Sequence, residues 1–227
     1  MKTLVAFGCS FTYGDELVDP NLPTDNKYFQ NEPYRLANSY PGRIAEHYNL
    51  QLLNTAFPGA SLESMRWTLD WLLNKSEYDI NDCMLIVGHT QAHRHSWFDP
   101  EIDVNAPGWL YPWNQHKHGS WLKEPGDDLD WYNLQRLWMK KSLDFQWEEY
   151  NLRQTVQIFE GIKLKYNIPV VQFKVFDDEP AVDLPEFTFQ QIAGDNLAKN
   201  GHPNEKGHQL FAEHLINYMD SVKILEC

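Results

Sequence analysis

Positive charge is scarce in this sequence: 19 lysines and arginines stand against 32 aspartates and glutamates, a formal net charge of −13 over 227 residues. Such a chain repels phosphate backbones and anionic membrane surfaces, which argues against nucleic-acid binding through a basic face. No apolar run approaches the ~20 residues that a membrane-spanning helix needs, so membrane insertion is not expected. Cysteine is also sparse. Cys9, Cys83 and Cys227 are odd in number and far apart, which argues against a disulfide framework and fits a reducing compartment. The opening from Met1 to Gly8 is too quickly interrupted for a secretory apolar region, so no signal peptide is expected and the N-terminus should be retained. Repeats and low-complexity tracts are missing too. What is present, 42% hydrophobic and 22% charged residues, suits one sizeable core and a single domain over 1–227.

Four short apolar segments read as buried strands: Thr3 to Phe7, Leu52 to Ala56, Met84 to Val87 and Pro169 to Phe173. Helical spacing lies between them. Ser39-Tyr40-Pro41 opens a helix with Ser39 as N-cap and Ile44, Ala45 and Tyr48 on one face, and Ala60 to Leu73 forms the next. A longer helical region runs from about Leu129 to Tyr166, with Leu152, Val156, Phe159 and Ile162 in period, and Asn204 to Val222 closes the chain. Strands alternating with helices predict an α/β fold, a parallel sheet covered on both faces.

Three polar, Pro-containing segments interrupt the pattern: Asp15 to Leu36, Asp99 to Asp128 and Phe176 to Asn200. Each follows a predicted strand, and ligands of open parallel sheets bind outside the carboxyl ends of the strands, so these segments are candidate walls of one site. Seven of the nine tryptophans fall in an insertion at about 97–147. Either they form a satellite core, since aromatics supply much burial area, or they present a platform for a sugar ring or acyl group.

At the end of the first strand, Gly8-Cys9-Ser10-Phe11-Thr12-Tyr13-Gly14 places Ser10 where a strand passes into a turn, at the mouth of the crevice. A serine nucleophile needs a base and oxyanion donors. Near the other end, Asn200-Gly201-His202-Pro203-Asn204-Glu205-Lys206-Gly207-His208 holds His202 in a constrained loop before an amphipathic helix, as suits a general base. His208 falls on the helix spacing and fits a plain surface histidine better.

With these motifs the sequence resembles the SGNH hydrolases, the GDSL-type esterases and lipases. Gly8-Cys9-Ser10-Phe11-Thr12 resembles the family's first block, which implies Ser10 as nucleophile and its N–H as oxyanion donor. Asn54-Thr55-Ala56-Phe57-Pro58-Gly59-Ala60-Ser61 resembles the second block, implying a further oxyanion N–H from Gly59, and Gly201-His202-Pro203-Asn204 resembles the last, implying His202 as base. In place of the third block's Gly-x-Asn stands Val87-Gly88-His89-Thr90, so Thr90 is the third donor by resemblance. The run Gln91-Ala92-His93-Arg94 resembles a variant from tailed-phage proteins, with Arg94 either binding a substrate carboxylate or carbonyl or forming a structural ion pair. The implied fold is a flavodoxin-like three-layer α/β/α sandwich.

The family's triad Asp should lie three residues before the histidine, but Lys199 occupies that position and Asn200 the next. Three readings stay open: a Ser-His dyad helped by Asn200, a triad completed by Asp195 or another distant carboxylate, or a fold with little activity. The expected function is a serine esterase acting on a small-molecule or glycan ester, with a weak preference for an O-acyl carbohydrate held near Trp109 and Trp113. It requires no metal or organic cofactor. Two competitors stand beside it. One is a metal site built from His89, His93 and His95 with His116 and His118, although no His-Glu-x-x-His or paired-Cys spacing is present. The other is a non-catalytic module that uses the same crevice to bind an acylated or glycosylated partner. Cys9 as a thiol nucleophile is disfavoured, because it and Ser10 point in different directions. The expected location is cytoplasmic or virion-associated; the oligomeric state leaves no mark in the sequence.

Overall fold

The structure, a computed structural model, describes residues 1–22, 32–92, 94 and 145–224. Four parallel strands, β1 (Thr3–Phe7), β2 (Gln51–Asn54), β3 (Cys83–His89) and β4 (Val170–Lys174), form a sheet in the order β2-β1-β3-β4. Thr3 pairs with Gln51 on one side and Cys83 on the other, and Leu85 pairs with Val170, so the carboxyl ends of all four strands share one edge. This is the strand order that opens flavodoxin-like sheets.

Alternation along the strands builds the layers. Leu4, Ala6, Met84, Ile86, Val171 and Phe173 face one core with Tyr40, Ile44, Phe211 and Leu215. Val5, Phe7, Leu85, Val87 and Val170 face the other with Leu62, Leu69, Leu152 and Phe159. The first core lies under α3 (Tyr40–His47), α6 (Phe189–Ala193) and α7 (Glu205–Ser221), and the second under α4 (Leu62–Asn74) and α5 (Phe145–Tyr166). The expected α/β/α layering is therefore present. Near the sheet edge sit two shorter helices, α1 (Ser10–Tyr13) and α2 (Glu32–Asn38).

Helix starts follow their capping residues. Ser39 accepts from the Gly42 N–H, and Asn204 accepts from the Gly207 N–H at 3.1 Å. At α4, Ser61 and Ser64 exchange side-chain to backbone bonds in a capping box, so the helix begins two residues after the expected Ala60. β2 ends at Asn54 rather than Ala56, because the Asn54 carboxamide accepts the Ala56 N–H at 3.1 Å and turns the chain. The helical region expected from Leu129 is described only as α5 from Phe145; positions 129–144 lie outside the described residues. Trp147, assigned above to the insertion, lies in the first turn of α5. Among the described residues no helix is long and apolar enough to cross a membrane.

Candidate active site

Ser10 is the first residue of α1, directly beyond the carboxyl end of β1. Two glycines make that placement possible. A Cβ on Gly8 would stand 2.0 Å from Thr12 Oγ1, so α1 can lie against the strand end only with glycine there. Gly14, in the left-handed region at φ 81°, ends the helix and donates its N–H to the Ser10 carbonyl. Thr12 is buried and accepts a hydrogen bond from the Tyr40 hydroxyl at 3.0 Å. Arg35 of α2 lies 3.6 Å over the Tyr13 ring and donates to the Tyr13 carbonyl, which ties α2 to the end of α1. Cys9 is fully buried in the core beneath α3 and α7, away from any nucleophile role.

After Gly14 the chain turns again, with Glu16 in the left-handed region at φ 67° and Leu17 buried behind it. This turn meets the C-terminal histidine loop. Glu16 Oε2 lies 3.0 Å from His202 Nδ1 and accepts the His202 N–H at 3.3 Å. Glu16 Oε1 accepts the Asn200 side-chain N–H at 2.8 Å and its backbone N–H at 3.0 Å. Burial works against ionisation of Glu16, but the bonds from His202 and Asn200 outweigh it and hold the carboxyl below its ordinary 4.5.

The His202 loop is itself braced. The Ala198 N–H donates to the His202 carbonyl at 2.7 Å, Leu197 and Pro203 form an antiparallel bridge, and Gly201 takes φ 89°. The imidazole packs edge-on against Phe11, the neighbour of Ser10, with centroids 5.6 Å apart. Its Nε2 lies 3.7 Å from Asp15 Oδ2, beyond hydrogen-bonding distance. Ser10 is 6% exposed, and no hydrogen bond joins it to His202.

Asn54 donates to the Thr12 carbonyl at 3.2 Å, bringing the second block against the first. Gly59 there adopts φ 79°, and neither its N–H nor that of Ser10 has an acceptor among the described residues. Thr90 is fully buried beyond β3, and its Oγ1 accepts from Arg94 Nη1 at 3.0 Å, which leaves the hydroxyl proton to donate elsewhere. Arg94 also bonds Gln91 Oε1 at 3.0 Å and lies 5.6 Å over the Phe176 ring. Phe176 in turn packs on Phe11 at 4.9 Å, so ring contacts run from Arg94 through Phe176 and Phe11 to His202. The Ala92 N–H in this segment is held by buried Glu179 at 2.9 Å.

Several expectations change. Asp195 is exposed and does not reach His202, and the Asn200 side chain turns to Glu16 instead of the imidazole. His208 is no surface residue. It is fully buried in α7, where Nδ1 accepts the Tyr40 N–H at 3.1 Å, and burial pushes it down to about 3 and keeps it neutral. His89 is also buried, with Nε2 on Gln172 Oε1 at 2.9 Å, and burial takes it down to about 4. His93, His95, His116, His118, Trp109 and Trp113 lie outside the described residues. Sequence reasoning left room for a distant carboxylate but did not single out Glu16, since an acid in a polar turn carries no local sign of a partner 186 residues away.

No family model and no curated protein matches the chain. Among solved structures it is similar to a carbohydrate esterase whose active site is described as displaying divergent catalytic and non-catalytic binding functions. That likeness has 14% identity and a TM-score of 0.43, and it covers 97% of this chain but only 65% of the other. It is also similar to a protein assigned to the G-D-S-L lipolytic family from Desulfitobacterium hafniense (15% identity, TM-score 0.35, covering 95% and 98%). A G-D-S-L lipolytic family member from Veillonella parvula gives 13% identity and a TM-score of 0.39, covering 96% and 97%. Likenesses of this degree assign no activity.

Proposed function

We propose that this chain is a serine acylhydrolase that cleaves carboxylic esters. Ser10 Oγ attacks the ester carbonyl while His202 Nε2 takes its proton; the same proton then goes to the leaving alcohol, and water, deprotonated by His202, releases the acid and restores Ser10. The N–H groups of Ser10 and Gly59 and the Thr90 hydroxyl receive the developing oxyanion. The observation that carries this reading is the seating of His202 against Phe11, beside Ser10, with Nδ1 already on a carboxylate and Nε2 as the ring nitrogen left for proton transfer. The absence of a Ser10–His202 bond agrees with catalytic contacts that tighten only when substrate is bound. Beyond the bonds to Thr90 and Gln91, Arg94 has further N–H groups for a substrate oxygen. The substrate class is an O-acyl carbohydrate, a reading that rests on the tryptophan-rich stretch of the sequence.

The missing triad Asp, with Lys199 in its place, favours one second reading, a module that binds an acylated or glycosylated partner without turning it over. Fluorophosphonate labelling followed by mass spectrometry separates the two. Acyl transfer requires a phosphonylated Ser10 in the wild type and loss of labelling in Ser10→Ala and His202→Ala. Folded wild type that takes no label at Ser10 overturns it.

A further inference from the structure

We infer that Glu16 is the carboxylate that orients His202, a positioning residue supplied by the turn after the serine motif in place of an acid within the histidine loop. The inference rests on the Ser10–His202 reading of the site.

Three observations converge on it. First, an ionised carboxylate only accepts, so the 3.0 Å contact requires Nδ1 to carry the proton and leaves the Nε2 lone pair for the serine hydroxyl. Second, the carboxylate is itself fixed. Oε2 takes the His202 N–H as well as Nδ1, Oε1 takes two donors from Asn200, and the Glu16 side chain is only 15% exposed. These bonds also explain Asn200, whose amide steadies the acid and does not touch the base. The left-handed Glu16 backbone, between Gly14 and buried Leu17, aims the side chain at the loop. Third, two other carboxylates among the described residues are misplaced for the role: Asp195 is exposed and away from the ring, and Asp15 lies 3.7 Å from Nε2, on the side opposite Nδ1. The lowered titration of Glu16 agrees, because it keeps the group charged at neutral pH.

The test compares wild type with Glu16→Gln, Glu16→Asp and Asp195→Asn, each shown by thermal melting to be folded. Proton NMR looks for a strongly deshielded His202 Nδ1–H, and fluorophosphonate kinetics give kinact and KI at Ser10. Wild type and Asp195→Asn should share the deshielded proton and the labelling rate. Glu16→Gln keeps the side chain's size and an amide oxygen for Asn200, but the charge and the acceptor for His202 Nδ1–H are gone. The proton should leave its low-field position and kinact should fall about 10²–10⁴-fold with KI unchanged, while Glu16→Asp should recover part of that loss. A low-field proton missing from wild type, one retained in Glu16→Gln, or an equal loss in Asp195→Asn overturns the inference. If the proton is present in wild type and lost in Glu16→Gln but Ser10 never labels, the acyl-transfer reading fails while the hold of Glu16 on His202 stands.

Discussion

Substituting Glu179 by glutamine removes a buried carboxyl whose titration the fold has displaced. Glu179 is 8% exposed, and its Oε2 accepts the Ala92 N–H at 2.9 Å. Burial is the largest cause pushing the group up from 4.5 to about 7; repulsion from Asp178 and Glu148 adds to it, and the Ala92 bond and Arg94 offset only part. Because the folded value is raised, the folded state holds a proton that the unfolded chain releases. The resulting stability is full below pH 4.5 and is lost as pH rises through about 7. At ~1.4 kcal/mol for each pH unit, a displacement of this size amounts to about 3 kcal/mol across the window. Glutamine does not titrate and keeps an oxygen for the Ala92 N–H. Urea unfolding of both proteins between about pH 4 and about pH 8 measures the difference. The stability of Glu179→Gln relative to wild type should climb by about 3 kcal/mol and level off above neutrality. A difference that stays constant with pH refutes the burial of a titrating carboxyl here.

Two further substitutions probe how the serine turn is seated. In Gly8→Ala the new Cβ meets Thr12 Oγ1 at 2.0 Å and Thr12 Cβ at 2.6 Å, and Thr12 is sealed in by Tyr40 and Gly88. The protein should lose about 1–3 kcal/mol in a thermal melt and label more slowly at Ser10, and an unchanged melt with unchanged labelling contradicts the close approach. Tyr40→Phe removes the hydroxyl that donates to Thr12 at 3.0 Å in a fully buried site. Denaturant unfolding should register about 1–2 kcal/mol, and no measurable loss means that this bond does not help hold α1.

Elements with local, periodic signatures were legible in the sequence. β1 runs over Thr3–Phe7 as its apolar residues predict, and α3 and α7 start after the side chains that cap them, Ser39 and Asn204. The turn at Ser10 and the constrained loop at His202 were legible too, because glycine, proline and a cap at fixed spacing leave the chain few local conformations. The four residues of α1 and five of α6 were not, since neither spans two turns and so neither can display a 3.6-residue period. β2 was expected to end two residues too far along, because a side-chain to backbone bond at Asn54 ended it where hydrophobicity did not.

The sequence by itself determined the α/β layering, the strand positions and the two loops that carry Ser10 and His202, because these follow from side-chain alternation, helical period and turn chemistry over a few neighbouring residues. Tertiary structure alone decided the partners. It buried His208 against the Tyr40 N–H, turned Asn200 away from the imidazole, and brought Glu16 to His202 Nδ1. Each depends on where two distant backbones lie and how one side chain is aimed, and residue identity at either end does not encode that. A glutamate in a polar turn reads as a solvated charge until the fold sets a histidine 3.0 Å away.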